Sequence, residues 1–241
     1  MNSINRYYLP AEQWSRCELE LTGDEAHHCV RVLRQKVGDW VVVFDGEGRS
    51  VKCQIVVLEK SRVVLEQDGP LEMQERGLAI HLCQAIPKAG NMELIVQKAV
   101  ELGVASIQPL ATANTVAKAN SKKVQKWQRI ALEACKQCGQ NWLPKVSEVA
   151  EINSWLDQRE KAELEIVAAL DPRSEEMSQV LEGNRDVASA SLLVGPEGDF
   201  SSNEYDAAIE SGFKPVGLGD IVLRVETATL YCLSVLRYTL S

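Results

Sequence analysis

The stretch SLLVGPEGDFSSNE, Ser191 to Glu204, runs from an apolar segment through a loop with two glycines and a proline into residues that start helices. Ser191 to Val194 has the make-up of a buried strand, and Ser201 or Ser202 stands where an N-cap lets Glu204 enter a helix. Gly195 and Gly198 permit close backbone approach, and Pro196 stiffens the turn between them. Two readings stay open at this point: a tight strand-to-helix turn, or a loop that takes a ligand against its backbone.

The same alternation continues in both directions. Upstream, Leu78 to Ala85, Ser106 to Leu110 and Leu164 to Leu170 read as strands. Between them, Met92 to Leu102 has helical spacing and ends at the C-cap residue Gly103, Ser121 to Cys138 is a long helix, and Glu175 to Glu182 is helical. Downstream, the strand Pro215 to Leu218 precedes a last helix from Glu226 to Leu240. Strands alternating with helices predict an α/β fold built on a mainly parallel sheet covered on both faces. In such sheets ligands bind at the carboxyl ends of strands, which singles out the loops from Leu170 to Arg173, Gly195 to Ser201 and Leu218 to Ala228. Gly217-Leu218-Gly219 continues to Val222 where a dinucleotide fingerprint needs a third glycine, and no Walker lysine loop occurs, so neither nucleotide site is expected.

Before Gly69-Pro70 the pattern differs. Trp40 to Phe44, Val51 to Leu58 and Arg62 to Glu66 are short β-branched runs bounded by turn signals, which predicts a small β-barrel over residues 1–70, with a second domain over 73–241. A helix is expected to precede these strands, with Thr22 as N-cap, Glu25 completing a capping box, and Ala26, Val30 and Leu33 on its inner side. His27 and His28 are adjacent, face two directions and make no metal site; packing or a hydrogen bond is expected for His28.

With 45% hydrophobic and 25% charged residues the chain is an ordinary globular protein, and every apolar run is broken well before the roughly 18 residues of a membrane span. No secretory signal is read at Met1 to Pro10, so the cytoplasm is the expected compartment and no membrane partner is expected. Seven scattered cysteines (17, 29, 53, 83, 135, 138 and 232) suit reduced thiols. Cys135 and Cys138 could be half of a zinc site or a redox dithiol, yet no second pair completes four ligands, so helix packing is expected and no metal. The net charge of −8 hides a contrast: Lys88 to Lys145, Lys118 included, carries nine basic residues against three acids, and Val146 onward carries seven against eighteen. Such a basic tract is either a solvated helix face or a local seat for a phosphate backbone.

Seven segments in this order decide further. They are RYYL at Arg6 to Leu9, GDEAHHCVRVLR at Gly23 to Arg34, VGD at Val37 to Asp39, QKAVELGVASIQPL at Gln97 to Leu110, KWQRIALEACKQC at Lys126 to Cys138, LVGPEGDFS at Leu193 to Ser201, and LGDIVLRVETAT at Leu218 to Thr229. Together they resemble the SPOUT superfamily of knotted methyltransferases, most closely the ribosomal RNA small-subunit methyltransferase E family. The resemblance implies a PUA-like RNA-binding barrel, a C-terminal sheet ending in a deep trefoil knot, a homodimer, and methylation of uridine N3 in the 16S RNA of the small ribosomal subunit. The knot is an exception to the usual unthreaded connections.

The resemblance also implies S-adenosylmethionine as cofactor, held at Leu170, at Leu193, Val194, Gly195, Pro196, Glu197 and Gly198, and at Leu218, Gly219, Ile221, Leu223, Arg224, Thr227 and Ala228. Uridine N3 is a poor nucleophile until its proton leaves, so catalysis rests on alignment and help with deprotonation. Arg224 is the first catalytic candidate, as a guanidinium that stabilises the uridine anion or holds the adjacent phosphate. Glu226 is the second: it accepts the proton or orients Arg224, or it is simply an acid favoured at a helix N-terminus. Glu197 divides between bracing its loop and touching the cofactor. Arg6, Arg34, Lys88, Lys122, Lys123, Lys126 and Arg129 are the RNA-contact candidates. The chain departs from the family pattern at Lys88-Ala89-Gly90-Asn91, at Gln140, at Asp199 and at Ile221, the first two removing charges expected to face RNA. Two further readings are a methyltransferase of the same fold acting on another RNA atom, such as a ribose 2′-hydroxyl, and a non-catalytic RNA-binding ribosome-assembly protein.

Overall fold

The computed structural model describes residues 4–14, 18–88, 90–116 and 120–240, so Cys17, Ala89 and Lys118 lie outside the described residues. The chain divides into two compact units, residues 1–76 with 135–143, and residues 77–134 with 144–241.

The first unit holds β1 (Asn5–Tyr8), β2 (Glu18–Thr22), α1 (Gly23–His27), β3 (Trp40–Phe44), β4 (Arg49–Leu58), β5 (Arg62–Gln67) and β6 (Glu72–Met73). Its sheet runs β1-β3-β4-β5-β2, with β6 on β4. Alternation sets the inside: β2 buries Leu19 and Leu21 while Glu18, Glu20 and Thr22 face out. Tyr7, Val41, Val43, Cys53, Ile55, Val63 and Leu65 close the same core.

Among the described residues no pairing joins β1 to β2, and α1 lies at that seam. The Glu25 carboxylate accepts from the Tyr8 backbone N–H at 3.3 Å and pairs with Lys136. That engagement is why the expected capping box does not form: Thr22 is the N-cap, but its side chain caps nothing. The helix also widens after His27, with Leu33 N–H reaching five residues back to the His28 carbonyl at 2.9 Å. The widened turn rotates the inner face, so Ala26 and Cys29 are buried and Leu33, expected inside, is exposed. His28 packs edge-on against Tyr7.

Residues 135–143 enter this unit from mid-chain. Asn141 N–H donates to Gln74 Oε1 at 2.7 Å, Trp142 Nε1 donates to the Gln74 carbonyl at 3.0 Å, and Leu143 N–H donates to the Gly46 carbonyl at 3.0 Å. Gly48 makes room for the indole: its φ is +98°, and a Cβ there would sit 2.5 Å from the Trp142 ring. Cys135 is buried with its thiol toward the Trp142 carbonyl at 3.7 Å, and burial pushes that thiol up to about 12. Cys138 is exposed, and no cluster of metal-ligating side chains occurs among the described residues.

The second unit contains β7 (Ala79–Ala85), α2 (Asn91–Glu101), β8 (Ser106–Ala111), most of α3 (Ser121–Cys138), β9 (Lys145–Val146), β10 (Ala150–Glu151), α4 (Ile152–Gln158), β11 (Leu164–Ala168), β12 (Glu175–Glu176), α5 (Met177–Glu182), β13 (Ser189–Val194), α6 (Ser202–Glu210), β14 (Lys214–Gly217) and α7 (Val225–Leu240). The sheet order is β10-β8-β7-β13-β11-β14-β12, with β9 on β8, and every pairing is parallel. All five residues of β11 are buried, as expected of a strand covered on both faces. β11 stops at Ala168 rather than at the expected Leu170, which is 64% exposed and already belongs to the loop. α4 was not expected from the sequence; Glu151 caps it by accepting from Ser154 N–H at 2.9 Å. Beside it Arg159 and Glu165 form a buried ion pair, the guanidinium lying 4.4 Å from the Phe213 ring centroid.

Candidate active site

β13, β11 and β14 are neighbours, and Ala168 at the end of β11 pairs with Val194 on one side and Val216 on the other. The chain therefore leaves all three strands at one level. The loops that follow enclose a cavity of about 450 Å³.

From the first loop the wall takes Leu170 together with Ala168 and Ala169, and from the second Val194, Gly195, Pro196, Glu197 and Asp199. The third contributes Leu218, Gly219, Ile221, Leu223, Arg224, Glu226 and Ala228, with Val222 and Val225. Leu193, Gly198 and Thr227 do not line it: Leu193 is fully buried beneath, and Thr227 faces out. Asn91, at the first position of α2, was not expected and does line it. The strand-end signal that points to the three loops carries no information about a residue that opens a helix much earlier in the chain.

Side chains brace the second loop from several sides. Both Glu197 oxygens accept from the Lys88 backbone N–H, at 2.9 and 3.0 Å, so this carboxylate ties two loops together. Asn114 Nδ2 donates to the carbonyls of Gly198 and Asp199, both at 2.9 Å. Asp199 adopts φ +58°, the left-handed region, and its Oδ1 accepts from Phe200 N–H at 2.8 Å and from the Tyr205 hydroxyl at 2.6 Å. Burial, then the bond to Asp199, pushes the Tyr205 phenol far above its usual range. Ser201 caps α6 in a full capping box with Glu204, whose other oxygen accepts from Ala113 N–H at 2.7 Å. The first loop is clamped differently: hydrogen bonds from Arg173 hold the Asp171 carboxyl down to about 2, and Arg173 also reaches Asp206 on α6 at 2.8 Å.

Arg224 is exposed on the cavity wall, and Asn91 Nδ2 donates to Glu226 Oε2 at 3.2 Å. Glu226 lies in the first turn of α7, which is anchored further in: Thr229 donates to Gln84 Oε1 on β7 at 2.7 Å, both residues fully buried.

The basic candidates are scattered. Lys122, Lys123, Lys126 and Arg129 are exposed on α3, where Lys126 pairs with Glu93 at 2.5 Å, and Lys88 and Arg34 are exposed too. Arg6 is half-buried over the Phe44 ring at 4.9 Å, and its guanidinium is bonded to Asn141, with desolvation pulling its pKa below the usual value. One of its guanidinium nitrogens holds the 140–141 segment in place within the first unit.

Comparison with known proteins is consistent with this geometry. Residues 74–237 match an RNA methyltransferase domain, and residues 21–68 match an RNA methyltransferase PUA domain. A ribosomal RNA small subunit methyltransferase E of Synechocystis is 32% identical over 95% of this chain and 76% of its own, and that of Bacillus subtilis is 31% identical over 90% and 89%. Among solved structures, a methyltransferase of Legionella pneumophila with bound cofactor SAM superposes with a TM-score of 0.88 at 32% identity, covering 98% of both chains. A ribosomal RNA small subunit methyltransferase E of Neisseria gonorrhoeae bound to S-adenosyl methionine gives 0.89 at 30% identity, with the same coverage. With a PUA-like N-terminal unit, a parallel α/β sheet and both family models matched in order, the chain belongs to the ribosomal RNA small subunit methyltransferase E family.

Proposed function

We propose that the protein transfers a methyl group from S-adenosylmethionine to N3 of a uridine in small-subunit ribosomal RNA. The observation that carries this reading is the convergence of three strand-end loops on one cavity with Arg224 and Glu226 in its wall. The residues fit the cofactor: the volume falls in the range of small-molecule sites, the wall is mostly Ala, Val, Leu, Gly and Pro, and strand-end backbone groups supply polar contacts. Gly219, at φ +101° with open space where a Cβ would lie, lets the third loop turn without crowding that space. When bound, S-adenosylmethionine supplies a methyl group already activated by a positively charged sulfur.

The protein's own tasks are to align uridine N3, to take its proton and to stabilise the resulting anion. Glu226 accepts the N3 proton, and Arg224 donates to a neighbouring uracil oxygen where negative charge gathers. Lys88, Arg34 and the α3 face bearing Lys122, Lys123, Lys126 and Arg129 hold RNA phosphates, and an exposed pair such as Lys126–Glu93 is weak enough to exchange.

Two architectural expectations belong to this reading. A deep knot is supported by α7, which follows β14 yet bonds through Thr229 to β7, three places away in the sheet order. A homodimer is supported by apolar side chains left open on the tail: Ile221 is 72% exposed, Val222 77%, and Tyr231 and Tyr238, two turns apart on one face of α7, 46% and 91%. No helix among the described residues is long and apolar enough to cross a membrane, and the reading places the protein with ribosomes in the cytoplasm. Mass spectrometry of ribosomal RNA from a deletion strain tests the assignment. One 3-methyluridine in the small-subunit RNA is expected to disappear and to return on complementation; an unchanged 3-methyluridine content, or loss of a different modification, overturns it.

A further inference from the structure

Three polar side chains of the cavity wall take no part in the reaction above: Glu197 and Asp199 brace the second loop, and the third is Asn91. Asn91 is the first residue of α2, a helix fixed by the buried side chains of Met92, Ile95, Val96, Ala99 and Val100. Its Nδ2 donates to Glu226 Oε2 at 3.2 Å. This bond fixes which way the amide points, because the flipped form would set the amide oxygen against a carboxylate. An amide nitrogen carries two hydrogens, so one remains for another acceptor.

Uracil presents an acceptor, a donor and an acceptor in a row: O4, N3–H and O2. Its complement is a donor, an acceptor and a donor. We propose that Asn91, Glu226 and Arg224 form that complement and that Asn91 is a specificity-determining residue, its second Nδ2 hydrogen donating to a uracil carbonyl oxygen beside N3. The inference rests on Glu226 taking the N3 proton. The covalent step is unchanged: the N3–H bond breaks with its proton passing to Glu226, the N3–carbon bond forms, and the electrons of the broken carbon–sulfur bond stay on sulfur. Cytosine meets the same wall badly, since its unprotonated N3 faces the Glu226 carboxylate and its amino group faces a donor that the bond to Glu226 keeps from turning over. A buried polar mismatch of this kind discriminates more strongly than shape alone.

The test crosses a protein change with a substrate change. Small-subunit RNA carrying uridine, 2-thiouridine or 4-thiouridine at the target is given to the wild type, Asn91→Ala and Asn91→Ser; sulfur is the weaker acceptor. Turnover on uridine is expected to fall about 10- to 100-fold in Asn91→Ala, with S-adenosylmethionine affinity within threefold of wild type as the check on folding. One of the two thio-substitutions is expected to slow the wild type and to cost the variants little more. Undiminished turnover in both variants, or losses that simply multiply for both thiouridines, overturns the inference while leaving the methyltransferase reading in place. A wild type that forms no 3-methyluridine overturns that reading itself.

Discussion

Two of the loops around the cavity are built in opposite ways. The loop from Gly195 to Ser201 is tied down by Glu197 on Lys88 N–H, by Asn114 on two of its carbonyls, by Tyr205 on Asp199, and by the Ser201–Glu204 capping box. Between Leu218 and Leu223, among the described residues, no side-chain hydrogen bond is formed, and Ile221 and Val222 stand open. The 195–201 loop is shaped before anything binds. The 218–223 loop has its helix end fixed by Thr229 on Gln84 and leaves its apolar tip uncovered. Preorganisation on one wall and adaptability on the other let a site hold a cofactor and still admit a large RNA.

Arg224→Ala, at the end of the open loop, is expected to have the largest effect. Turnover should fall about 10²- to 10³-fold, as on removal of a charge-stabilising donor, while S-adenosylmethionine affinity measured by calorimetry stays within about threefold. Equal loss of both would give the residue a role in holding the cofactor and not in the transfer step. Glu197→Gln attacks the braced loop, where the charge of the acceptor for Lys88 N–H is lost while an amide oxygen remains; with the side chain exposed, about 1 kcal/mol of stability should go, read by denaturant unfolding, with weaker cofactor binding alongside.

How much of this contrast was legible depended on range. The strands that set the loop exits were visible because β-branched and apolar runs are local signals, and Trp40–Phe44 and Ser121–Cys138 fall where the pattern places them. The N-cap at Ser201 was legible for the same reason, with Ser202 as the alternative; the capping box read at Thr22 does not form, because Tyr8 and Lys136 compete for Glu25 from distant parts of the chain. Asn91 escaped because its relevance exists only when α2 meets α7. Asp199, one of the departures from the family pattern, engages Tyr205 and Phe200 through its Oδ1 and holds the left-handed turn itself, partners the sequence does not announce. The assignment of residues 135–143 to the first unit was likewise invisible, resting on contacts such as Asn141 to Gln74.

Smaller changes sharpen the contrast. Tyr205→Phe removes one neutral donor and should cost about 1 kcal/mol, visible as a modest drop in melting temperature. Ile221→Ser with Val222→Ser should leave the stability of the isolated chain within about 0.5 kcal/mol, because both side chains are already in water, while shifting sedimentation toward the monomer. A large loss of stability at low concentration would mean that the tip is not open as described.

The central claim is tested most directly by a crystal structure of the protein with S-adenosylmethionine. The cofactor should lie between the Leu170, Gly195 and Leu218 loops, its methyl group directed toward Arg224 and Glu226, with the 195–201 backbone unmoved and the 218–224 tip closed over it. A cofactor bound elsewhere, or three loops standing apart with no ligand between them, would contradict the account.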